Sequence, residues 1–234
     1  KINMSVLVYA ENWEGKFRKS TFEAVSYAYE TAKILGTNII TVSIGEISND
    51  ELNKLGKYGS SKILSYSNIN KSDGQSVASI ISEITEETNL IIFSNTYTAK
   101  MVAPRLSAKL MAAAISNVIG LPHNNGVLAV KRTAFSSKAV EYVSIKTEKA
   151  ILSIAPNSYK VVENKTICDI KSIDSSKKGD INVEKKETTS GKISLSEADI
   201  IVSAGRGLKS PENWKMIEEL AELLGAATAC SKPV

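Results

Sequence analysis

The chain has 234 residues, 43% of them hydrophobic, which suffices for one large domain or for one domain and part of another and excludes disorder throughout. Its 29 Lys and Arg against 25 Asp and Glu leave a formal charge of +4, too small and too evenly spread to mark a surface for nucleic acid or an anionic membrane. Two cysteines without CxxC spacing and a lone histidine, His123 in a Pro-His-Asn-Asn-Gly turn, argue against a disulfide scaffold, a Cys or His metal cluster and Ser-His-Asp hydrolysis.

From Met4 onward short apolar runs alternate with amphipathic stretches, the pattern of an α/β fold with a mostly parallel sheet covered by helices; Lys1-Ile2-Asn3 read as a remnant ahead of a natural start. Ser5-Val6-Leu7-Val8-Tyr9-Ala10 predicts a strand buried on both faces. Ser20 stands three residues before Glu23, a capping-box spacing, and Phe22, Val25, Ala28, Tyr29, Ala32 and Leu35 keep a helical period up to Gly36. Residues 39–44 predict a second strand, Asn49 or Asp50 the cap of a short helix through Leu55, and Ile63-Leu64 the start of a third strand. After Ser72-Asp73 a helix carries Val77, Ile80, Ile81 and Ile84 on one face, and Leu90-Ile91-Ile92-Phe93 is the next buried strand. Residues 94–98 then fall at the carboxyl end of a parallel strand, where open α/β sheets bind ligands; a loop packed against a partner fits equally. Pro104, inside the following apolar stretch, belongs in a first turn or at a kink.

Beyond Gly120, residues 126–130, 139–145 and 149–154 predict three strands with no helix between them, an antiparallel meander extending the sheet. Lys131 and Arg132 interrupt it with positive charge that suits a solvated edge or an anion or partner contact. Residues 160–192 mix lysines with acids and few large apolar side chains, as an exposed connector or polar hairpin between two domains would. Asp50, Glu51, Glu83, Glu86 and Glu87 have lysine neighbours on helical faces expected to be solvated, so no catalytic residue is predicted among them; Cys168 and Cys230 are expected to be inert thiols.

The strongest local motif begins at Ala198. Residues 199–203 predict a buried strand, and Ala204-Gly205-Arg206-Gly207-Leu208-Lys209-Ser210-Pro211 follow it. Ser210 suits an N-cap and Pro211 a first helical position, with Trp214, Ile217, Leu220, Ala221 and Leu224 as the apolar face before Gly225. Glycines admit close backbone approach, a helix start offers free amides, and the Arg206 fork suits phosphate or an anionic ring system; a turn with a solvated arginine is the plainer alternative.

The span Ala-Asp-Ile-Ile-Val-Ser-Ala-Gly-Arg-Gly-Leu-Lys-Ser-Pro-Glu-Asn at 198–213, continued through Ile-Glu-Glu-Leu-Ala-Glu-Leu-Leu-Gly-Ala at 217–226 to Ser231-Lys232-Pro233-Val234, closely resembles the α subunit of electron transfer flavoproteins. Val-Leu-Val-Tyr-Ala-Glu at 6–11, Ala-Lys-Met-Val-Ala-Pro-Arg-Leu-Ser-Ala at 99–108 and the Lys131-Arg132 meander agree with it in order, so the resemblance covers essentially the whole chain after Met4. It implies an αβ heterodimer that carries FAD and passes electrons singly from flavin dehydrogenases of the acyl-CoA dehydrogenase type to a quinone reductase or comparable acceptor. It implies an amino-terminal α/β domain at 4–187 that contacts the β subunit, and at 188–234 the start of a second, doubly wound FAD-binding domain.

By the same resemblance Arg206 is the flavin-site arginine and Ser231 an FAD-contacting serine, with Gly205 and Gly207 serving backbone approach. Lys232 stands where the family commonly has an arginine over the flavin ring, keeping the charge but not the planar fork. Family members continue past the equivalent of Val234 with further FAD contacts, which implies a carboxyl-terminally truncated α subunit whose isolated form binds FAD poorly. The alternative is a non-redox α/β interaction module that docks a β subunit without FAD. The family role is that of a carrier rather than an enzyme. With no apolar run near ~20 residues and no export pattern, the expectation is a bacterial cytoplasmic protein without membrane insertion, or a mitochondrial matrix one if eukaryotic.

Overall fold

β1 (Ser5–Tyr9) divides its side chains between two cores, with Val6 and Val8 on one face of the sheet and Leu7 and Tyr9 on the other. Such alternation into two apolar layers explains why the run is apolar at successive positions. The computed structural model describes residues 5–175, 179, 181, 183, 184, 195 and 198–231, in two units, Lys1–Val183 and Glu184–Val234.

A short hairpin, β2 (Asn12–Trp13) and β3 (Lys16–Phe17), leads to α1 (Lys19–Leu35), which stops at Gly36 with a left-handed φ of 65°. The capping box does not form. The helix begins before Ser20, so Ser20 has helical backbone; Arg18 is the N-cap and its side chain makes no capping bond, and Glu23 accepts from the Asn157 amide at 3.0 Å. β4 (Ile39–Ile44) is the predicted second strand. α2 (Asn49–Asn53) is capped not by Asn49 or Asp50 but by Ser48, whose Oγ accepts from the Glu51 amide at 3.2 Å. Glu51 is buried rather than solvated, and accepts from the Phe17 amide at 3.0 Å and Lys54 Nζ at 2.6 Å. β5 (Lys62–Tyr66) follows, then α3 (Gly74–Glu83), capped by Asp73 through the Gln75 and Ser76 amides.

β6 (Thr88–Ser94) and α4 (Tyr97–Leu110) come next, with Pro104 in the interior of α4 rather than its first turn. There the Arg105 guanidinium donates to the Met101 carbonyl at 2.7 Å, in a stretch where proline withholds a backbone donor. β7 (Ala113–Val118) carries no separate signal in the sequence, because its alanine-rich start prolongs the apolar period of α4. A bulge at β7, with Asn117 at φ 57°, shifts its register against the strand beside it.

β8 (His123–Asn124), β9 (Leu128–Ala134) and β10 (Ala139–Ser144) form the antiparallel extension, with β9 and β10 as a hairpin. The third predicted meander strand leaves it. β11 (Ala150–Ile154) inserts in parallel between β6 and β7, with all five residues buried. An edge meander has no second layer to cover a run buried at every position, whereas the sheet centre does. The described part of the predicted connector also differs from expectation: β12 (Asp169–Ser172) adds a parallel strand to β5 at the sheet edge. Its approach lies tight on Gly56, where a Cβ would stand 2.7 Å from the Thr166 carbonyl oxygen.

The ten-stranded sheet thus runs β10-β9-β7-β11-β6-β1-β4-β5-β12, with β8 beside β9. α1 covers the face holding Val6, Val8, Leu90, Ile92 and Leu152, while α3 and α4 cover the face holding Leu7, Ile91 and Phe93. The second unit consists of β13 (Ile201–Ala204), α5 (Trp214–Leu224) and β14 (Ala227–Cys230), with the strands parallel.

Candidate functional site

In the second unit Ala204 lies opposite Cys230, so the chain leaves β13 and β14 at the same end. Gly205 and Ser231, remote in sequence, become neighbours there. The Ser231 amide donates to the Ala204 carbonyl at 3.2 Å, and a Cβ on Gly205 would stand 3.7 Å from Ser231 Oγ. Gly205 is extended, and a Cβ on Gly207 would meet nothing within 4 Å. Neither glycine is therefore demanded by crowding from the described protein atoms; what each provides is open space beside the backbone.

Arg206 opens a 3₁₀ turn, Arg206–Leu208, closed by the Leu208 amide on the Gly205 carbonyl at 3.0 Å and the Lys209 amide on the Arg206 carbonyl at 3.1 Å. Ser210 then accepts from the Glu212 amide at 3.3 Å and Pro211 takes a first helical position, although the first turn, Pro211–Asn213, is 3₁₀ before α5 begins. Asn213 Nδ2 donates to the Leu208 carbonyl at 2.8 Å and ties the helix start back to the turn. No spacing rule in the sequence flags that bond. The amides of Arg206 and Gly207 take no part in these contacts, and the exposed Arg206 guanidinium has no ion-pair partner among the described residues. An open hollow of about 370 Å³ is lined by Gly207, Leu208, Lys209, Glu212, Asn213 and Met216.

Gly205, Arg206, Gly207 and Ser231 are thus gathered at one end of a strand pair, next to a helix start. Lys232 lies outside the described residues. The chemistry on offer is a planar cation, uncommitted backbone donors and a hydroxyl at one end of the strand pair, which fits a cofactor bearing phosphates and a ring that can become anionic.

The second candidate, residues 94–98, sits in the first unit where strand order reverses. β4 and β5 lie on one side of β1, and β6, β11 and β7 on the other. Glu11, just past the end of β1, is 5% exposed; Thr96 Oγ1 donates to its Oε2 at 2.6 Å and Thr98 Oγ1 to its Oε1 at 2.5 Å. Thr96 also caps α4 by accepting from the Ala99 amide. Burial pushes the Glu11 carboxyl above its ordinary range, against the pull of these hydroxyls and of the positive charges of Lys71 and Arg18. Sequence reasoning assigns Glu11 no role; its signal is an acid placed directly after a doubly buried strand.

Of the basic pair in β9, Arg132 bonds Glu141 across the hairpin at 3.2 Å, so its charge is partly used within the edge. The Cys168 thiol donates to the Ser60 carbonyl and burial pushes it up, away from reactivity. Among the described residues no group of three His, Cys, Asp or Glu side chains could hold a metal, and no helix is long and apolar enough to cross a membrane.

A family model described as "Electron transfer flavoprotein domain" matches residues 6–188, and one described as "Electron transfer flavoprotein FAD-binding domain" matches residues 194–234. Over 236 residues the chain is 33% identical to electron transfer flavoprotein subunit alpha of Bacillus subtilis (strain 168), covering 97% of this chain and 72% of that protein. It is 29% identical to the subunit alpha of Syntrophomonas wolfei, covering 96% of this chain and 72% of that one. It is also 26% identical to the LctC subunit of the lactate dehydrogenase (NAD(+),ferredoxin) of Acetobacterium woodii, covering 97% of this chain and 57% of that protein.

Proposed function

The chain belongs to the α-subunit family of electron transfer flavoproteins, and from that premise we propose that it is one half of an αβ heterodimer that carries electrons on FAD between flavin dehydrogenases and an acceptor. Bound FAD supplies the redox chemistry, taking up and giving up electrons singly. The chain's own residues bind and tune it. Arg206 places a fixed positive charge and a donor fork beside the cofactor, and Ser231 adds a hydroxyl across from Gly205. Gly205 and Gly207 leave room for close approach, and Lys232 contributes a second positive charge. The first domain, residues 4–187, contacts the β subunit, and residues 188–234 begin the FAD-binding domain.

The protein acts as a carrier rather than as a catalyst with its own substrate. Donors of the acyl-CoA dehydrogenase type, in fatty acid oxidation, and a quinone reductase acceptor complete the route, in a bacterial cytoplasm or, in a eukaryote, the mitochondrial matrix. The observation that supports this reading most directly is the approach of Ser231 to Gly205 at the common end of β13 and β14.

The test is an FAD titration, followed by flavin absorbance, of the chain co-purified with a β subunit. Arg206→Ala should weaken FAD binding by roughly tenfold or more, the size expected for losing a charge-assisted hydrogen bond. The heterodimer should persist on size exclusion. An unchanged titration would remove Arg206 and its turn from the cofactor site.

A further inference from the structure

Between the 3₁₀ turn at 206–208 and α5 the chain must change direction, and Pro211 decides where. It keeps the residue before it out of helical backbone, and Ser210 is accordingly extended, at φ −140° and ψ 143°. The change of direction therefore falls on Lys209, at φ 63° and ψ −39°. Across it the Ser210 amide donates to the Leu208 carbonyl at 2.7 Å, which makes a γ-turn with positive φ, a rare and strained form. Glycine would occupy this turn freely, whereas lysine keeps it only where surrounding bonds hold it.

Those bonds meet on one atom. The Leu208 carbonyl oxygen accepts from the Ser210 amide and, at 2.8 Å, from Asn213 Nδ2. The Leu208 amide in turn closes on the Gly205 carbonyl, and Ala204, just before it, accepts from the Ser231 amide. The segment carrying Arg206 is thus fastened at its beginning by the strand pair and at its end by a side chain from the helix start.

We propose that Asn213 is a positioning residue for Arg206, a role that rests on the cofactor site read above: by holding the Leu208 carbonyl it keeps Lys209 in its strained turn and Arg206 presented to FAD. Without Asn213 Nδ2, Lys209 is free to return to negative φ, which rotates the Leu208 peptide and loosens the turn that begins at Arg206. Asn213 is exposed, so packing in a core is not what its side chain serves.

The test measures FAD affinity and flavin midpoint potential in double-mutant cycles, on the chain co-purified with a β subunit. Arg206→Ala and Asn213→Ala should weaken FAD binding by roughly tenfold and about three- to tenfold respectively. Both should lower the potential, because a positive charge beside the flavin favours its reduced, more negative form. The double variant should bind within about twofold of Arg206→Ala alone, since Asn213 acts through that arginine. In a Lys209→Gly background, where the turn carries no strain, Asn213→Ala should cost at most about twofold. The role of Asn213 is overturned by additive losses in the double variant, by an undiminished loss in the glycine background, or by an Asn213→Ala heterodimer that matches the wild type while Arg206→Ala does not. A heterodimer that takes up no FAD, or whose FAD is indifferent to Arg206→Ala, instead removes the cofactor-site reading, and the role of Asn213 falls with it.

Discussion

β1 and β13 are both short apolar strands that run into a candidate site, and their surroundings are opposite. Val6, Leu7 and Val8 are fully buried, whereas Ile201 is 48% exposed. The helices repeat the contrast: α1 buries ten of its residues against the sheet, while α5 buries only Ala221 and leaves Met216, Leu220, Leu223 and Leu224 exposed. Yet α5 has its starting serine and proline and its left-handed Gly225, and β13 its parallel partner. Local chemistry is thus enough to draw the Gly-Arg-Gly turn, and burial is what decides how firmly it is held.

The largest expected difference is in amide hydrogen exchange. Amides of β1, β6 and β11 should exchange only on global unfolding, and those of β13 and β14 at least about a thousandfold faster. Equal protection in the two units would erase the comparison. Truncations should then divide in the same way: Leu152→Ala, in the doubly covered β11, should cost about 2–5 kcal/mol in urea unfolding. Leu223→Ala, on the exposed face of α5, should stay within about 0.5 kcal/mol.

The smallest effect is on pH dependence and belongs to the first unit alone. Because burial raises the Glu11 carboxyl, its contribution is fully present below the unfolded carboxyl value of ~4.3 and lost as pH rises through the folded value. Lys71, Arg18 and the two threonine hydroxyls oppose the rise without cancelling it. Relative to Glu11→Gln, the wild type should therefore become less stable as pH climbs from 4 toward neutrality. A difference that grows in the wild type's favour over that interval would reverse the assignment. Asp73 runs the other way: burial alone would raise it, but Ser76 and the amides it caps hold it below its ordinary range, so its contribution is lost as pH falls.

What the sequence discloses follows the range of the interactions involved. β1, β4, β6 and α3 are legible because a strand covered on both faces must be apolar throughout, and because Asp73 caps its own helix. The turn at 205–211 is legible for the same reason, since Ser210 and Pro211 act within a few residues. The neighbour of β11 is not legible. An apolar run states how much it must bury and not against which strand, so the same residues fit a meander or the sheet centre. Ser20 and Glu23 show the limit of spacing rules, because Glu23 finds a better donor at Asn157, far along the chain. Glu11 is hidden for a similar reason, its threonines lying at the start of α4, far along the chain.

The pairing of β13 with β14 also sets a reading frame for the site. Ser231 reaches Gly205 only because Ala227 sits opposite Ile201, and Ala227 is the one described residue of β14 that is fully buried. Were β14 to slide by one position, Cys230 would arrive beside Gly205 and every side chain of the strand would change faces. The methyl group of Ala227 is thus the index mark that assigns a hydroxyl, rather than a thiol, to the Gly205 end of the strand pair.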